Sequence, residues 1–176
     1  AQSAVPSTPT AAPTAPPATP APTNPPVSNA DLGTVNPQTV PATQRITANA
    51  WNYVWNYGFG QLKAVGTGTY GGARPTHGQW LAITMAAANT SGQPTKIPDG
   101  FFVLKDSQNR VYEFNRAASA DWFNRFGGRG NAADISANDP FTADSASTIL
   151  LFDVPPDAAN LVLFSRDNVN QGYVVR

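Results

Sequence analysis

Cysteine is absent from this 176-residue chain, and charged side chains are scarce, at 12% of all residues. The absence of cysteine excludes a disulfide framework, a thiol nucleophile and a lipid-modified cysteine within the sequence. The formal net charge is zero, with 11 basic and 11 acidic residues, so no broad electrostatic attraction to nucleic acid or anionic lipid is expected. No apolar run approaches the roughly 20 residues that span a bilayer. We therefore expect neither a nucleic-acid partner nor a transmembrane span.

Groups that carry catalysis or bind metal ions are equally few. The chain has one histidine, His77, which lies in the turn-like segment ARPTHGQW, and no G-x-S-x-G motif supplies a nucleophile beside it. A surface or capping histidine is therefore favoured over a catalytic base. Zinc is not expected from a chain with one histidine and no cysteine. The sequence predicts a protein that is not an enzyme and that has no cofactor.

A candidate metal site lies in the polar stretch of residues 129–147. Asp134, Asp139 and Asp144 recur every five residues and are candidates for calcium ligands, but the glycine and the alternating Asp and Asn of an EF-hand loop are missing. The alternative is that these aspartates cap turns. The sequence leaves both interpretations open.

Proline marks the N-terminal segment. Ala1 to Pro41 contains 11 of the 17 prolines together with Ala, Thr and Ser, and no aromatic residue precedes Trp51. Such a stretch buries too little apolar surface to fold alone, and its prolines hold it extended. We predict an extended Pro/Thr/Ala-rich stalk or linker over residues 1–44, either a passive spacer or an arm that docks along another subunit.

The start of the sequence, AQSAVPS, bears on where the protein acts. It is typical of a mature end left by signal-peptidase cleavage, although a trimmed chain would begin in the same way. We expect an exported, mature protein that is extracellular or attached to the cell envelope.

After residue 45 the pattern changes to short apolar runs separated by Gly, Asn, Asp and Pro, which is typical of a β-sandwich or barrel. The predicted strands are residues 51–59, 61–70, 80–89, 101–104, 111–114, 148–154, 161–164 and 172–175. The run 148–154 is nearly all apolar, which predicts a central strand, whereas 172–175 is predicted as the last edge strand. A polar turn at residues 106–109 joins the clearest hairpin.

A short helix interrupts the predicted strands. Ser119 or Asp121 is placed to cap a helix that ends at Phe126, before two glycines. The Ala-, Asn-, Asp- and Ser-rich residues after it, 129–147, predict a long loop. The sequence thus predicts an all-β domain over residues 45–176 with a short helix in an inserted loop.

The aromatic residues between positions 51 and 59 follow a period of two. This alternation puts five rings on one face of a strand: Trp51, Tyr53, Trp55, Tyr57 and Phe59. Such a row is a candidate binding surface, since aromatic rings stack on sugar faces and anchor protein partners. The alternative is that the five rings point inward and fill the space between two sheets. The exposure of the rings distinguishes these two hypotheses.

Three segments resemble a known family in their pattern and order. They are GQWLAITMAAANTSGQP (78–94), FFVLKDSQNRVYEF (101–114) and TILLFDVPPDAANLVLF (148–164). The family they resemble comprises bacterial extracellular domains of unknown function with the fold of the immunoprotective extracellular protein of mycobacteria. The resemblance implies an immunoglobulin-like antiparallel β-sandwich at the cell surface. It transfers no catalytic or ligand residue, and a likeness of fold is a weak guide to function.

These observations lead to two hypotheses about function. The first is a non-enzymatic protein of the cell envelope that acts as a protein-interaction or structural assembly module, with other envelope or extracellular proteins, or copies of itself, as partners. The second is a carbohydrate-binding module that uses the aromatic strand face to bind glycans.

Overall fold

The structure, a computed structural model, describes residues 28–55, 62–90, 97–126 and 147–175. Within these ranges the chain is mostly β-strand, with two short helices. The helices are α1 (Asn29–Thr34) and α2 (Arg116–Phe126). The strands, in chain order, are β1 (Gln38–Thr39), β2 (Ile46–Ala48), β3 (Trp51–Trp55), β4 (Leu62–Gly66), β5 (Gln79–Asn89), β6 (Phe102–Lys105), β7 (Val111–Glu113), β8 (Ser147–Val154), β9 (Val162–Ser165) and β10 (Asn168–Val174).

The strands form two sheets of five strands each. Sheet 1 has the order β1-β10-β9-β6-β7. Sheet 2 has the order β2-β3-β5-β4, and β8 pairs with the side of β5 opposite to β3 and β4. The pairings are antiparallel, except that β1 runs parallel to β10. Two sheets with few helices confirm the all-β sandwich that the sequence predicts.

The two sheets enclose one apolar core. Alternate residues of β5, namely Leu81, Ile83 and Met85, point into it, as do Leu104 and Leu163 from sheet 1. This alternation follows from the period of two along a strand. Because burying each large apolar side chain stabilises the fold by about 1.5–3 kcal/mol, this core carries most of the folding free energy.

Both sheets are also apolar on the face that points away from this core. On sheet 2, Trp80 of β5 and Leu151 of β8 cluster with Ala118 of α2. On sheet 1, Val103 of β6 clusters with Leu32 of α1. Each helix therefore covers one outer face, and the sandwich has a helical cover on either side.

Strand β8 shows what such a cover does to a sequence pattern. The prediction that residues 148–154 form a central strand is wrong, because β5 is the central strand of sheet 2 and β8 forms its ladder with β5. Strand β8 is apolar at consecutive positions for another reason. Leu150 and Phe152 face the core, whereas Ile149 and Leu151 face α2.

Helix α2 begins before the predicted Ser119 or Asp121. Asn115 caps it, since its side-chain oxygen accepts a hydrogen bond from the amide of Ala118 at 2.9 Å. Ser119 lies inside the helix, and its buried hydroxyl donates to the Asn115 carbonyl at 2.6 Å and accepts from the Leu151 amide at 2.9 Å. The predicted glycine stop and most of the predicted loop after it lie outside the described residues.

The predicted stalk over residues 1–44 falls into two parts. Residues 1–27 lie outside the described residues. Residues 28–44 contain α1 and β1 and pack on the sandwich, so the folded region begins earlier than residue 45. The prediction that residues 172–175 form an edge strand is also wrong, because β1 lies on the outer side of β10.

Candidate functional site: a groove that holds the N-terminal arm

Residues 28–40, which we call the arm, begin with one capped turn of helix. Ser28 caps α1 by accepting a hydrogen bond from the Asp31 amide at 3.2 Å, and its hydroxyl donates to the Asp31 carboxylate at 2.5 Å. The helix ends at Thr34, and Val35 is already extended. Leu32 is the buried residue of this turn, with 0% of its surface exposed. The turn therefore presents a single leucine to the sheet below it.

The surface that receives Leu32 is the outer face of sheet 1, which we call the groove. It is lined by apolar side chains of β6, β7, β9 and β10: Val103, Val111, Val162, Phe164 and Val169. Val103 and Phe164 are fully buried beneath Leu32. These side chains point outward because their neighbours along β6 and β9 point into the main core.

The edge of β10 holds the second half of the arm. Gln38 and Thr39 lie in parallel register with Gln171 and Gly172, and the Val40 amide donates to the Gly172 carbonyl at 2.9 Å. An arm strand thus adds to an existing sheet edge, as in β-strand addition.

The edge of β10 that receives the arm lies where the ladder between β9 and β10 is irregular. The ladder between β9 and β10 shifts register between Asn168 and Tyr173, in the stretch that β1 pairs with. Gly172 fits there because a Cβ at this position would lie 2.9 Å from the Leu163 carbonyl oxygen. The Gly172 carbonyl in this irregular stretch accepts the hydrogen bond from the Val40 amide.

Two basic side chains anchor the arm. Lys105, 7% exposed, donates from Nζ to the Val35 carbonyl at 2.5 Å and to Asn36 Oδ1 at 3.2 Å. Arg166 donates from Nη2 to both Asn29 Oδ1 and Glu113 Oε1. The two side chains therefore hold the arm at the start of α1 and just after its end.

Sequence reasoning missed these groove residues. The local signal for α1 is the sequence Ser28-Asn29-Ala30-Asp31, which fits the [ST]-x-x-[DE] pattern of a capping box. No local signal marks Lys105, Arg166 or Gly172, because their partners lie far away along the chain.

The aromatic row falls largely in the core where the structure describes it. Trp51 is 3% exposed and Tyr53 is 1% exposed, and Trp55 is partly buried against the core. The Tyr53 ring meets the Phe102 ring edge-on at 5.0 Å, and burial raises the pKa of Tyr53 to about 12. Rings buried to this extent are not available to a sugar. The predicted ring positions 57 and 59 lie outside the described residues.

The single histidine meets a carboxylate at the surface. Nδ1 of His77, an exposed residue, lies 3.1 Å from Asp153 Oδ2. The same carboxylate accepts from the Thr76 hydroxyl at 2.7 Å and from the Thr76 and His77 amides. Although burial opposes it, hydrogen bonding from Thr76 and His77 lowers the pKa of Asp153. The hydroxyl donates to the carboxylate rather than to the imidazole, so this cluster ties the 76–77 turn to β8 and differs from the order of an acyl-transfer triad.

A second carboxylate organises the β6–β7 hairpin. Asp106, 3% exposed, accepts from Arg110 Nε at 2.6 Å and from the Tyr112 hydroxyl at 2.8 Å. Burial raises the pKa of Asp106, but these hydrogen bonds outweigh it and the net direction is downward. Burial and the hydrogen bond to Asp106 raise the pKa of Tyr112. This cluster closes the predicted turn at residues 106–109.

The described residues contain neither a cluster of metal-ligating side chains nor a helix that could span a membrane. No group of three or more His, Asp or Glu side chains in the described ranges is arranged to hold a metal ion. The calcium candidates Asp134, Asp139 and Asp144 lie outside those ranges. Neither helix in the described part of the chain has the length and apolarity needed to cross a membrane.

Comparisons with family models, curated proteins and solved structures find no match for the chain. The resemblance to bacterial extracellular immunoglobulin-like domains therefore stays a prediction.

Proposed function

We propose that this chain is a non-enzymatic protein-interaction or structural module of an exported, cell-envelope protein. In this proposal the sandwich is of the immunoglobulin-like type, the Pro-rich segment before the arm is a spacer, and the arm is a docking element. The proposed partners are other envelope or extracellular proteins, including further copies of this chain.

The observation that carries the proposal is the fit between the arm and the groove. An extended segment with one helical turn lies along a sheet, adds a strand to its edge, inserts Leu32 and is fixed by Lys105 and Arg166. These are the elements by which folded domains bind peptide segments. The groove is therefore built to recognise a short peptide.

The charged residues of the sandwich support a structural role. Asp153 links a turn to β8, Asp106 closes a hairpin, and Arg166 joins the arm to β7. Each of these groups connects two segments of the chain through hydrogen bonds. The lowered pKa values of Asp106 and Asp153 are explained by these structural hydrogen bonds, and perturbed pKa values arise in structural networks as well as in catalytic sites.

One exposed apolar residue next to the groove suggests where a partner contacts the sandwich. Val174 is 51% exposed, and it pairs across the ladder with Val162, which lines the groove. Residues paired in this way share one face of a sheet. The apolar face of sheet 1 therefore continues beyond the part that the arm covers.

In vivo photo-cross-linking tests the proposal. A photoreactive phenylalanine derivative replaces Val174 in the complete protein, expressed in its own organism, and replaces Gln108, an exposed residue of the β6–β7 turn, in the control. We expect the protein in the envelope or secreted fraction, with protein adducts at position 174 that exceed those at position 108. Recovery in the cytosol, or equal cross-linking at both positions, would contradict the proposal.

The carbohydrate-binding alternative rests on the aromatic row. Since Trp51 and Tyr53 are buried, the partly buried Trp55 is the described ring that a test can address. Binding to a glycan array that Trp55→Ala abolishes while the fold is retained would favour this alternative over the interaction module.

A further inference from the structure

We propose that the groove of one copy also receives the arm of a second copy, so that copies of the chain join head to tail. This inference rests on the proposed function and deepens it, because it names both the partner and the surface. The arm is the ligand and the groove is the receptor, and every copy carries both.

The first argument is that the hydrogen bonds and the leucine that hold the arm lie on sheet 1, while Val40 also packs against the core between the two sheets. Leu32 packs in the groove, Val40 bonds to β10, and Lys105 of β6 holds the backbone at Val35. The chain then crosses to sheet 2, where β2 begins at Ile46. The arm would therefore make the same contacts with the groove of its own copy and with the groove of another copy.

The second argument concerns the link between the arm and the rest of the chain. Residues 41–45 contain no buried residue, and four of the five are exposed. Within the link the Gln44 amide bonds to the Pro41 carbonyl at 2.9 Å, and the Tyr173 hydroxyl donates to the Gln44 carbonyl at 2.6 Å. A change of path from Pro41 to Thr43 therefore costs few contacts, and exchange of an identical element between copies is a low-cost route to assembly.

The third argument is the match of hydrogen-bonding groups. Lys105 and Arg166 donate from the sheet to acceptors of the arm, namely the Val35 carbonyl and the side-chain oxygens of Asn36 and Asn29. The match is between two parts of the same chain. A second copy therefore brings an arm that fits without any change of sequence.

Head-to-tail contact has a geometric consequence. The arm and the groove are different surfaces, so one-way exchange produces an open chain or a ring, whereas reciprocal exchange between two copies closes a two-fold dimer. A tethered arm has an effective concentration in the millimolar range for its own groove. Exchange between copies therefore grows with protein concentration and is favoured where copies are crowded.

Cysteine cross-linking tests this exchange, because the chain has no cysteine of its own. Gln38 of the arm and Gln171 of β10 are register partners. Neighbouring strands lie about 4.8 Å apart, within the range that a disulfide bridges. Full-length Gln38→Cys, labelled with ¹⁵N, is mixed with unlabelled Gln171→Cys at about 1 mM, the range of the effective concentration, and oxidised slowly. Peptide mass spectrometry then counts mixed disulfides.

The matched control replaces Gln171→Cys with Gln108→Cys in the mixture. Gln108 is exposed, and it lies in the β6–β7 turn, separated from β1 by β10 and β9. We expect at least about fivefold more mixed disulfide with Gln171→Cys than with Gln108→Cys, a factor that corresponds to roughly 1 kcal/mol of preference. Adding Leu32→Ala to the arm-bearing partner should reduce the excess, because Leu32 is the residue that the groove buries.

The double variant Gln38→Cys/Gln171→Cys distinguishes a failure of exchange between copies from a failure of the proposed function. If it closes its disulfide within one chain while the mixture gives no excess over the control, exchange between copies is refuted and the docking arm stands. If the double variant forms no such disulfide although its circular dichroism spectrum matches that of the wild type, the arm does not occupy the groove, and the proposed function loses its supporting observation as well.

Discussion

The two outer faces of the sandwich are covered in different ways. On sheet 2, helix α2 is bonded into the strand backbone, since the Ser119 hydroxyl accepts from the Leu151 amide at 2.9 Å and the Asn115 amide donates to the Leu151 carbonyl at 2.7 Å. On sheet 1, the arm is held by one leucine, Leu32, by a two-residue strand and by hydrogen bonds from the side chains of Lys105 and Arg166. The comparison shows that one cover is integrated with its sheet and the other is attached at a few points.

Because of this difference, we expect the two covers to unfold in different ways. Removal of α2 would break the hydrogen bond between the Leu151 amide and Ser119, worth about 0.5–1.5 kcal/mol, and would expose the apolar side chains of Trp80 and Leu151 to water. Removal of the arm leaves sheet 1 with its β9, β6 and β7 ladders intact. We therefore expect α2 to unfold together with the sandwich and the arm to open independently.

The largest expected effect comes from the turn that α2 packs on. Gly71 and Gly72 both have positive φ, 56° and 79°, but a Cβ on Gly71 would lie 2.3 Å from the Ala117 backbone, whereas a Cβ on Gly72 meets nothing within 4 Å. Gly72→Ala should cost about 1–2 kcal/mol of unfolding free energy for the left-handed conformation alone. Gly71→Ala should cost about 2–5 kcal/mol, since overpacking adds to that strain.

Chemical denaturation of both variants measures the difference. Equal losses for Gly71→Ala and Gly72→Ala would mean that the contact between the turn and α2 contributes nothing, and α2 would then be no more integrated than the arm.

The next effect separates local opening from global unfolding. Leu32→Ala removes a side chain with 0% exposure, and such substitutions cost about 2–5 kcal/mol. We expect the lower part of that range, and we expect it in the opening of the arm. Hydrogen exchange should show protection of the Val40 amide falling about 30-fold or more, while protection of β5 amides is unchanged. A parallel loss in β5 would show that the arm is part of the same cooperative unit.

A smaller effect tests the bond between α2 and β8. Ser119→Ala leaves the Leu151 amide without its hydroxyl partner, which should lower the unfolding free energy by about 1–2 kcal/mol. Ser107→Ala, at an exposed serine, is the control and should change it by less than about 0.5 kcal/mol. In contrast to Leu32→Ala, the loss at Ser119 should appear in global unfolding. A change limited to exchange within α2 would contradict the integrated cover.

The smallest expected effect is on the unfolding free energy at acidic pH. The pKa of Asp106 is lowered in the folded chain, so its contribution to stability is present above the unfolded-state pKa near 4 and is lost as pH falls through the lower folded value. The groups around it are Arg110, Tyr112 and Asp157. Denaturation from pH 7 to pH 2 should show stability declining below about pH 4, with a flatter profile for Asp106→Asn. If Asp106→Asn showed the same pH profile as the wild type, Asp106 would not contribute to the loss of stability in acid.

The hairpin of residues 101–114 shows what could be predicted from the sequence. Two apolar runs around a polar turn predict β6 and β7, and the structure confirms both strands. The turn is local, because the Gln108 amide bonds to Asp106 and Asn109 adopts a positive φ of 64°. Structure determined by residues a few positions apart is visible in the sequence.

The arm and β8 show why the rest could not be predicted. A proline-rich composition predicts a segment that cannot fold alone, but Leu32 is ordered by a groove whose residues lie about 70 to 140 positions later in the chain. The apolar run of β8 depends in the same way on the cover by α2. Tertiary contacts over such distances leave no periodic signal at either partner.

The central claim is that residues 28–40 are held against sheet 1. Hydrogen exchange of the full-length chain at neutral pH tests it directly, because the Leu32 amide bonds to the Ser28 carbonyl at 3.0 Å and the Val40 amide bonds to Gly172. We predict that both amides exchange more slowly than the unstructured rate and that Leu32→Ala removes this protection while β5 keeps its own. Exchange of both amides at the unstructured rate in the wild-type chain would contradict the account.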